Sequence, residues 1–267
     1  MLGRANGAVA AFALLLMAAT TAVSAQSVAP PRNFGEAMRW YREAAEAGRS
    51  DAQYFMGYIA HSGLRGPKDP AAAALWYRKA ADQGHPAAQL HLAMLYHVGE
   101  GLTRDLGEAR RWYLAAARQK DLEASFNLAC LLEKGDGGPV DAQGALDWYR
   151  IAAEGGHIDA QNNLAVMLAQ GIGQRSDPVE ALRWYTAAAD AGNPHALYNL
   201  GLVYAEGQLT PRNDGAAWRW LSLAIRTGDP AVVVPARRAL AEVELRMDDD
   251  GIAAAKSSLS ISRDPDD

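Results

Sequence analysis

Six histidines, a single cysteine and scattered acid pairs are the side chains that could do chemistry in this chain, and their spacing argues against most of it. His61 and His97 stand 21 residues after Trp40 and Trp76, at the same place in successive stretches. A tetrahedral metal needs its ligands at about 2 Å, whereas neighbouring packed helices lie about 8–10 Å apart. No histidine pair has the i, i+3 or i, i+4 spacing that puts two ligands on one helical face. His85 and His157 read as turn residues. Cys130 reads as a small apolar filler rather than a nucleophile. Acid pairs such as Glu43 and Glu46 belong to a solvated helix face. His-Glu-x-x-His, Gly-x-Ser-x-Gly, Ser-x-x-Lys and a complete phosphate-binding glycine loop are all missing from the sequence. The expectation is a chain with no catalytic residue, no metal and no cofactor.

The elements that carry these residues repeat. Trp40, Trp76, Trp112, Trp148, Trp184 and Trp220 are each 36 residues apart, and only Trp218 stands outside the series. Tyrosine follows five of the six, and Leu221 the last. Alanine recurs three residues before each Trp and four after it, and glycine eight after it, with Lys120 the exception. Alanine at twelve after, Leu or Met at sixteen and Gly or Ala at seventeen complete the register. Gly63, Gly99, Gly135, Gly171 and Gly207 close the units.

Such a unit is two helices. Ala, Trp and Ala at offsets of three and four share one face, and the small residues let the next helix approach closely. The glycine eight after Trp ends the first helix. Asp69, Asp105, Asp141 and Asp177 stand at N-cap positions of the next Trp-bearing helix, with Pro70 and Pro178 at its first residue. Glu108 and Glu180 are expected to complete capping boxes. Trp and Tyr are expected to fill the space between layers.

The motifs Ala-Leu-Trp-Tyr-Arg-Lys-Ala-Ala-Asp-Gln-Gly (74–84) and Ala-Gln-Leu-His-Leu-Ala-Met-Leu-Tyr-His-Val-Gly-Glu-Gly (88–101) resemble the Sel-one-like repeat family, relatives of the tetratricopeptide repeats. The resemblance runs from Phe34 to Gly228. It implies an all-α, right-handed solenoid of antiparallel helix pairs and a role as adaptor or scaffold, often in exported bacterial proteins. It also implies that the second helix of each unit lines the concave surface.

On that helix the residues two before, two after and five after the Leu position point away from the core at about 100° per residue. They read Tyr54, Tyr58, His61; Leu90, Met94, His97; Phe126, Cys130, Glu133; Asn162, Val166, Ala169; Tyr198, Leu202, Ala205. Two readings stay open: packing between helices, or a groove that takes a partner. The partner-binding candidates are Tyr54, Tyr58, His61, Leu90, Met94, His97, Phe126, Asn127, Asn163 and Tyr198, with Asn127, Asn163 and Asn199 as hydrogen-bonding neighbours for a peptide backbone.

Before the repeats, Arg4 precedes an apolar run from Ala8 to Ala19, and Val23-Ser24-Ala25 offers a signal-peptidase site. A retained anchor is the alternative. The expected organisation is a signal peptide (1–25), a linker (26–33), the repeat array (34–228), C-terminal capping helices (229–259) and a disordered tail (260–267). A net charge of -5 argues against nucleic acid as partner. One cysteine excludes an internal disulfide. The expected protein is a monomer, periplasmic or secreted, whose partner is a protein or peptide segment or a cell-envelope glycan. The alternative function is an envelope hydrolase acting on β-lactams or peptidoglycan. Relatives linked to that chemistry carry paired cysteines in each unit, unlike this chain.

Overall fold

The computed structural model describes residues 34–64 and 66–261. The expected signal peptide and linker lie outside the described residues, as does nearly all of the expected tail. Every regular element among the described residues is an α-helix. The Trp-bearing helices are α1 (Phe34–Glu46), α3 (Pro70–Asp82), α5 (Leu106–Ala117), α7 (Ala142–Glu154), α9 (Pro178–Asp190) and α11 (Asp214–Arg226). Between them lie α2 (Ser50–Ser62), α4 (Pro86–Val98), α6 (Leu122–Lys134), α8 (Ile158–Gln170) and α10 (Pro194–Glu206). Two further helices follow, α12 (Pro230–Glu244) and α13 (Asp249–Ile261). The chain divides between Ala116 and Ala117 into two compact units. In the first, α1 packs on α2, α2 on α3 and α3 on α4; in the second, each helix from α6 to α11 packs on the next, and α13 packs on α11.

Local sequence explains the boundaries. Asp69, Asp141 and Asp177 accept from the amide three residues on, at 2.9 Å each, and Asp105 does so at 3.0 Å. The amide of each cap residue donates to a carbonyl of the preceding helix, as in Asp105 to Tyr96 and Asp177 to Leu168. The expected capping boxes are therefore half made, which corrects the sequence reading. Since the cap amide is already satisfied, Glu108 and Glu180 turn instead to the indole N–H groups of Trp112 and Trp184. Lys120 adopts φ +68, the left-handed conformation of the glycines at the equivalent turn. The turn geometry is thus a property of the repeat, and lysine tolerates it at a cost.

The alanines of the register are buried throughout, and so are Leu92, Leu128, Leu164 and Leu200. Tyrosine and tryptophan divide the aromatic work differently from expectation. Tyr77, Tyr113 and Tyr149 are fully buried, whereas Trp40, Trp76, Trp148 and Trp220 are only partly so. A cation covers the ring of most of the tryptophans: Arg49 on Trp40, Lys79 on Trp76, Arg111 on Trp112 and Arg183 on Trp184, at 4.3–5.4 Å. The out-of-register Trp218 is buried and donates to Glu244 on α12 at 2.8 Å. It anchors the helices that follow the last repeat, helped by Arg246, which reaches Asp214 at 2.8 Å.

Candidate partner-binding face

In the first unit the candidates sit on α2 and α4. Tyr58 and Met94 are exposed, at 42% and 38%, and Tyr54, His61, Leu90 and His97 are half-buried. The Tyr54 ring stacks on His85 at 4.7 Å and 19°. His85 is the N-cap of α4: its Nδ1 accepts from the Ala88 amide at 3.2 Å, and its Nε2 faces Asp51 at 3.5 Å. An accepting Nδ1 places the ring proton on Nε2. Burial lowers the His85 pKa from its ordinary value, and Asp51 opposes the shift. Below this rim, Tyr77 stacks on His91 at 5.2 Å and meets His61 edge-on at 6.1 Å. The buried Tyr77 hydroxyl has no hydrogen-bond partner among the described residues, and burial raises its pKa. His61 faces Glu100 at 3.5 Å, and His97 Nδ1 lies 3.4 Å from the Tyr113 hydroxyl.

In the second unit the pattern returns with other residues. Phe126 stacks on His157 at 4.5 Å and 20°. His157 caps α8 by accepting from the Ala160 amide at 3.3 Å, and its Nε2 lies 3.3 Å from Glu123. The Tyr149 hydroxyl donates to Glu133 at 2.8 Å, accepts from Asn163 Nδ2 at 3.2 Å and touches Cys130 Sγ at 3.2 Å. Asn163 Oδ1 accepts from Asn162, whose own Oδ1 accepts from Asn199. Burial raises the Tyr149 pKa, and the neighbouring Cys130 and Glu133 add to it. Burial likewise raises the Cys130 pKa, against the Tyr149 hydrogen bond. A thiol held in its neutral form is a poor nucleophile. Tyr198 and Asn127 are half-buried.

Two features of this face depart from the sequence reading. The amide donors of Asn127, Asn163 and Asn199, expected to meet a partner's backbone, are engaged inside the protein; Asn127 Nδ2 donates to Glu123 at 2.8 and 2.9 Å. Tyr54 and Phe126 are also partly roofed by the histidines below them. His85 and His157 are therefore more than turn residues. Each bonds an acid 34 residues earlier, as Asn193 does with Asp159 at 2.7 Å. The sequence carries this signal as a polar residue nine after each repeat Trp, which at His85, His157 and Asn193 has an aspartate or glutamate 34 residues before it. No group of three His, Cys, Asp or Glu side chains among the described residues could hold a metal. No helix among them is long and apolar enough to cross a membrane.

The sequence profile of the Sel1 repeat matches residues 27–48, 50–85, 86–121, 122–157, 158–193 and 194–229. No curated protein matches the sequence significantly. Among solved structures, the chain is similar to c5321, a protective antigen of uropathogenic Escherichia coli strains with an SLR fold. Identity is 31% and the TM-score 0.73, over 85% of this chain and 48% of that one. The chain thus spans about half the length of the Escherichia coli protein. It is also similar to a Sel1 repeat protein from Oxalobacter formigenes, with 31% identity and a TM-score of 0.69, over 74% of this chain and 82% of that one.

Proposed function

Because the chain belongs to the Sel1 repeat family, a scaffold suited to protein–protein interaction, we propose that it is a non-catalytic exported adaptor that holds a protein segment on its even-numbered helices. The observation that carries this reading is the first-unit face of α2 and α4. There Tyr58 and Met94 stand exposed beside half-exposed Tyr54 and Leu90. Aromatic and thioether side chains left wet on a folded protein favour an apolar partner surface, which gains about 25 cal/mol per Å² covered. Phe126, Asn127, Asn163 and Tyr198 form the corresponding candidates in the second unit. Since the asparagine donors there are used internally, the affinity would come from side-chain burial more than from bonds to a partner's backbone. A cell-envelope glycan is the alternative occupant. The hydrolase alternative draws no support from Cys130, whose thiol is held neutral by burial.

The proposed export follows from the charged start, apolar run and Val-Ser-Ala site. N-terminal sequencing of the native protein is expected to begin at Gln26, in the periplasmic or secreted fraction; Met1 retained in membranes would overturn it. For the face itself, a photo-crosslinking residue placed at Tyr58 or Met94 should capture a partner protein in the native envelope. The same probe at Leu75, exposed on a Trp-bearing helix, should not. Equal capture at all three positions, or at Leu75 alone, would remove the face from consideration.

A further inference from the structure

Away from that face, the second unit holds a cleft of about 400 Å³ between the end of α9 and one side of α11. Its apolar walls include Leu197, Leu223 and Trp220, and its charged groups are Arg219, Arg226 and Asp190. Arg219, Leu223 and Arg226 follow one another at four and three residues, so they form one stripe of α11.

The repeat shows what is unusual here. The residue before the repeat tryptophan is also arginine at Arg111 and Arg183. Each of those lies over its Trp ring and pairs with an acid three residues earlier, Arg111 with Glu108 at 2.8 Å and Arg183 with Glu180 at 3.8 Å. Arg219 keeps the ring contact, 5.0 Å from Trp220, but three residues earlier stands Ala216. Its buried Nε has no hydrogen-bond partner among the described residues. A desolvated donor without an acceptor carries a cost that the Trp220 ring contact offsets only in part. The cleft has two cations against one anion, a local charge of +1 on a chain whose net charge is -5.

We infer that this cleft binds a small monocarboxylate carried on an apolar body, with the carboxylate at Arg219 and Arg226 and the body against Leu197, Leu223 and Trp220. The planar guanidinium fork matches a carboxylate. A single negative charge balances the cleft, whereas a dianionic phosphate would leave surplus charge beside Asp190. The walls supply the apolar contact that distinguishes such a ligand from acetate or chloride.

Calorimetric titration of the whole mature chain with N-acetyl-L-phenylalanine tests this. Saturable binding is expected, with the uncharged N-acetyl-L-phenylalaninamide weaker by about tenfold or more. Arg219→Met and the exposed Arg226→Gln should each weaken the acid by about tenfold, while Arg183→Met in the preceding repeat leaves it unchanged. If Arg219→Met melts early, Arg226→Gln alone decides. Equal binding of acid and amide, wild-type binding by the folded variants, or no saturation by about 10 mM would overturn the assignment. The cleft shares no residue with the face on α2 and α4, so failure here leaves the adaptor reading standing.

Discussion

The tyrosine that follows five of the six repeat tryptophans sets much of the local chemistry, because its ring is buried and, at Tyr113 and Tyr149, its hydroxyl reaches the preceding even-numbered helix. At Tyr149 the hydroxyl is fully matched by Glu133 and Asn163; at Tyr77 it is buried without a hydrogen-bond partner among the described residues. Removing the two hydroxyls should therefore have opposite consequences. Tyr149→Phe strands a part-buried carboxylate and amide and should cost about 1–2 kcal/mol. Tyr77→Phe should be neutral or stabilising, and thermal melts of the pair would show the difference. A loss of stability in Tyr77→Phe equal to that in Tyr149→Phe would contradict the hydrogen-bond assignment. Ring truncation is a separate case. Tyr149→Ala removes a fully buried aromatic and should cost about 3–5 kcal/mol, more than Trp148→Ala, whose ring is only partly buried.

At the scale of the helices, small residues decide how closely neighbours approach. A Cβ built on Gly57 of α2 would come within 2.6 Å of the Tyr77 ring, and one on Gly201 of α10 within 2.7 Å of Leu221. Both obstacles are buried side chains that cannot swing aside. Gly57→Ala and Gly201→Ala should each destabilise by about 1–3 kcal/mol, although Ala93, Ala129 and Ala165 occupy the same register place in other units. Lys120 offers the reverse experiment. Its φ of +68 is strained for a side chain with a Cβ. Lys120→Gly should gain about 0.5–1 kcal/mol once the unfolded-state entropy of glycine is subtracted. A denaturant midpoint that falls in Lys120→Gly would mean the lysine makes a contact worth more than the strain.

Across the whole molecule, acid should act on stability through groups in both units. His85 has a folded pKa below its ordinary value of 6.5, so the unfolded chain binds its proton more readily. Its contribution is present above pH 6.5 and is lost as pH falls from there through the lowered folded pKa, when a protonated Nδ1 can no longer accept the Ala88 amide. Asp214, bound by Arg212 and Arg246, has its pKa lowered from 3.8 to about 2. Its contribution is present above pH 3.8 and is lost on approach to pH 2. Thermal melts should thus show the midpoint falling first below pH 6.5 and again below pH 3.8. His85→Asn, which keeps a capping acceptor that does not titrate, should flatten the first step only. A first step unchanged in His85→Asn would assign it to another group. Because a repeat array buries each unit only against its neighbours, Asp214 and Trp218, which tie α11 to the helices beyond it, matter more than their exposure suggests.

The 36-residue period determined the helix pairs, the alanine and leucine core, the aspartate N-caps and the turn glycines without any structure. Each of these depends on residues within one or two turns of chain, and the repetition multiplied a weak local signal several times over. The family, too, was legible from the same motifs. The tertiary structure alone decided that the repeat tyrosines are all buried while only Trp112 and Trp184 of the repeat tryptophans are, and that the capping glutamates serve those two tryptophans. It also engaged the asparagine amides of the candidate face in bonds within the chain, stacked His85 on Tyr54 and His157 on Phe126, and left Arg219 beside an open cleft. Apart from the bonds of Glu108, Glu180 and Asn127, which join residues four apart on one helix, these turn on which side chain comes within about 3–5 Å of another from a different helix. Such distances are set by the packing of neighbouring helices, and a sequence period states only that the neighbours exist.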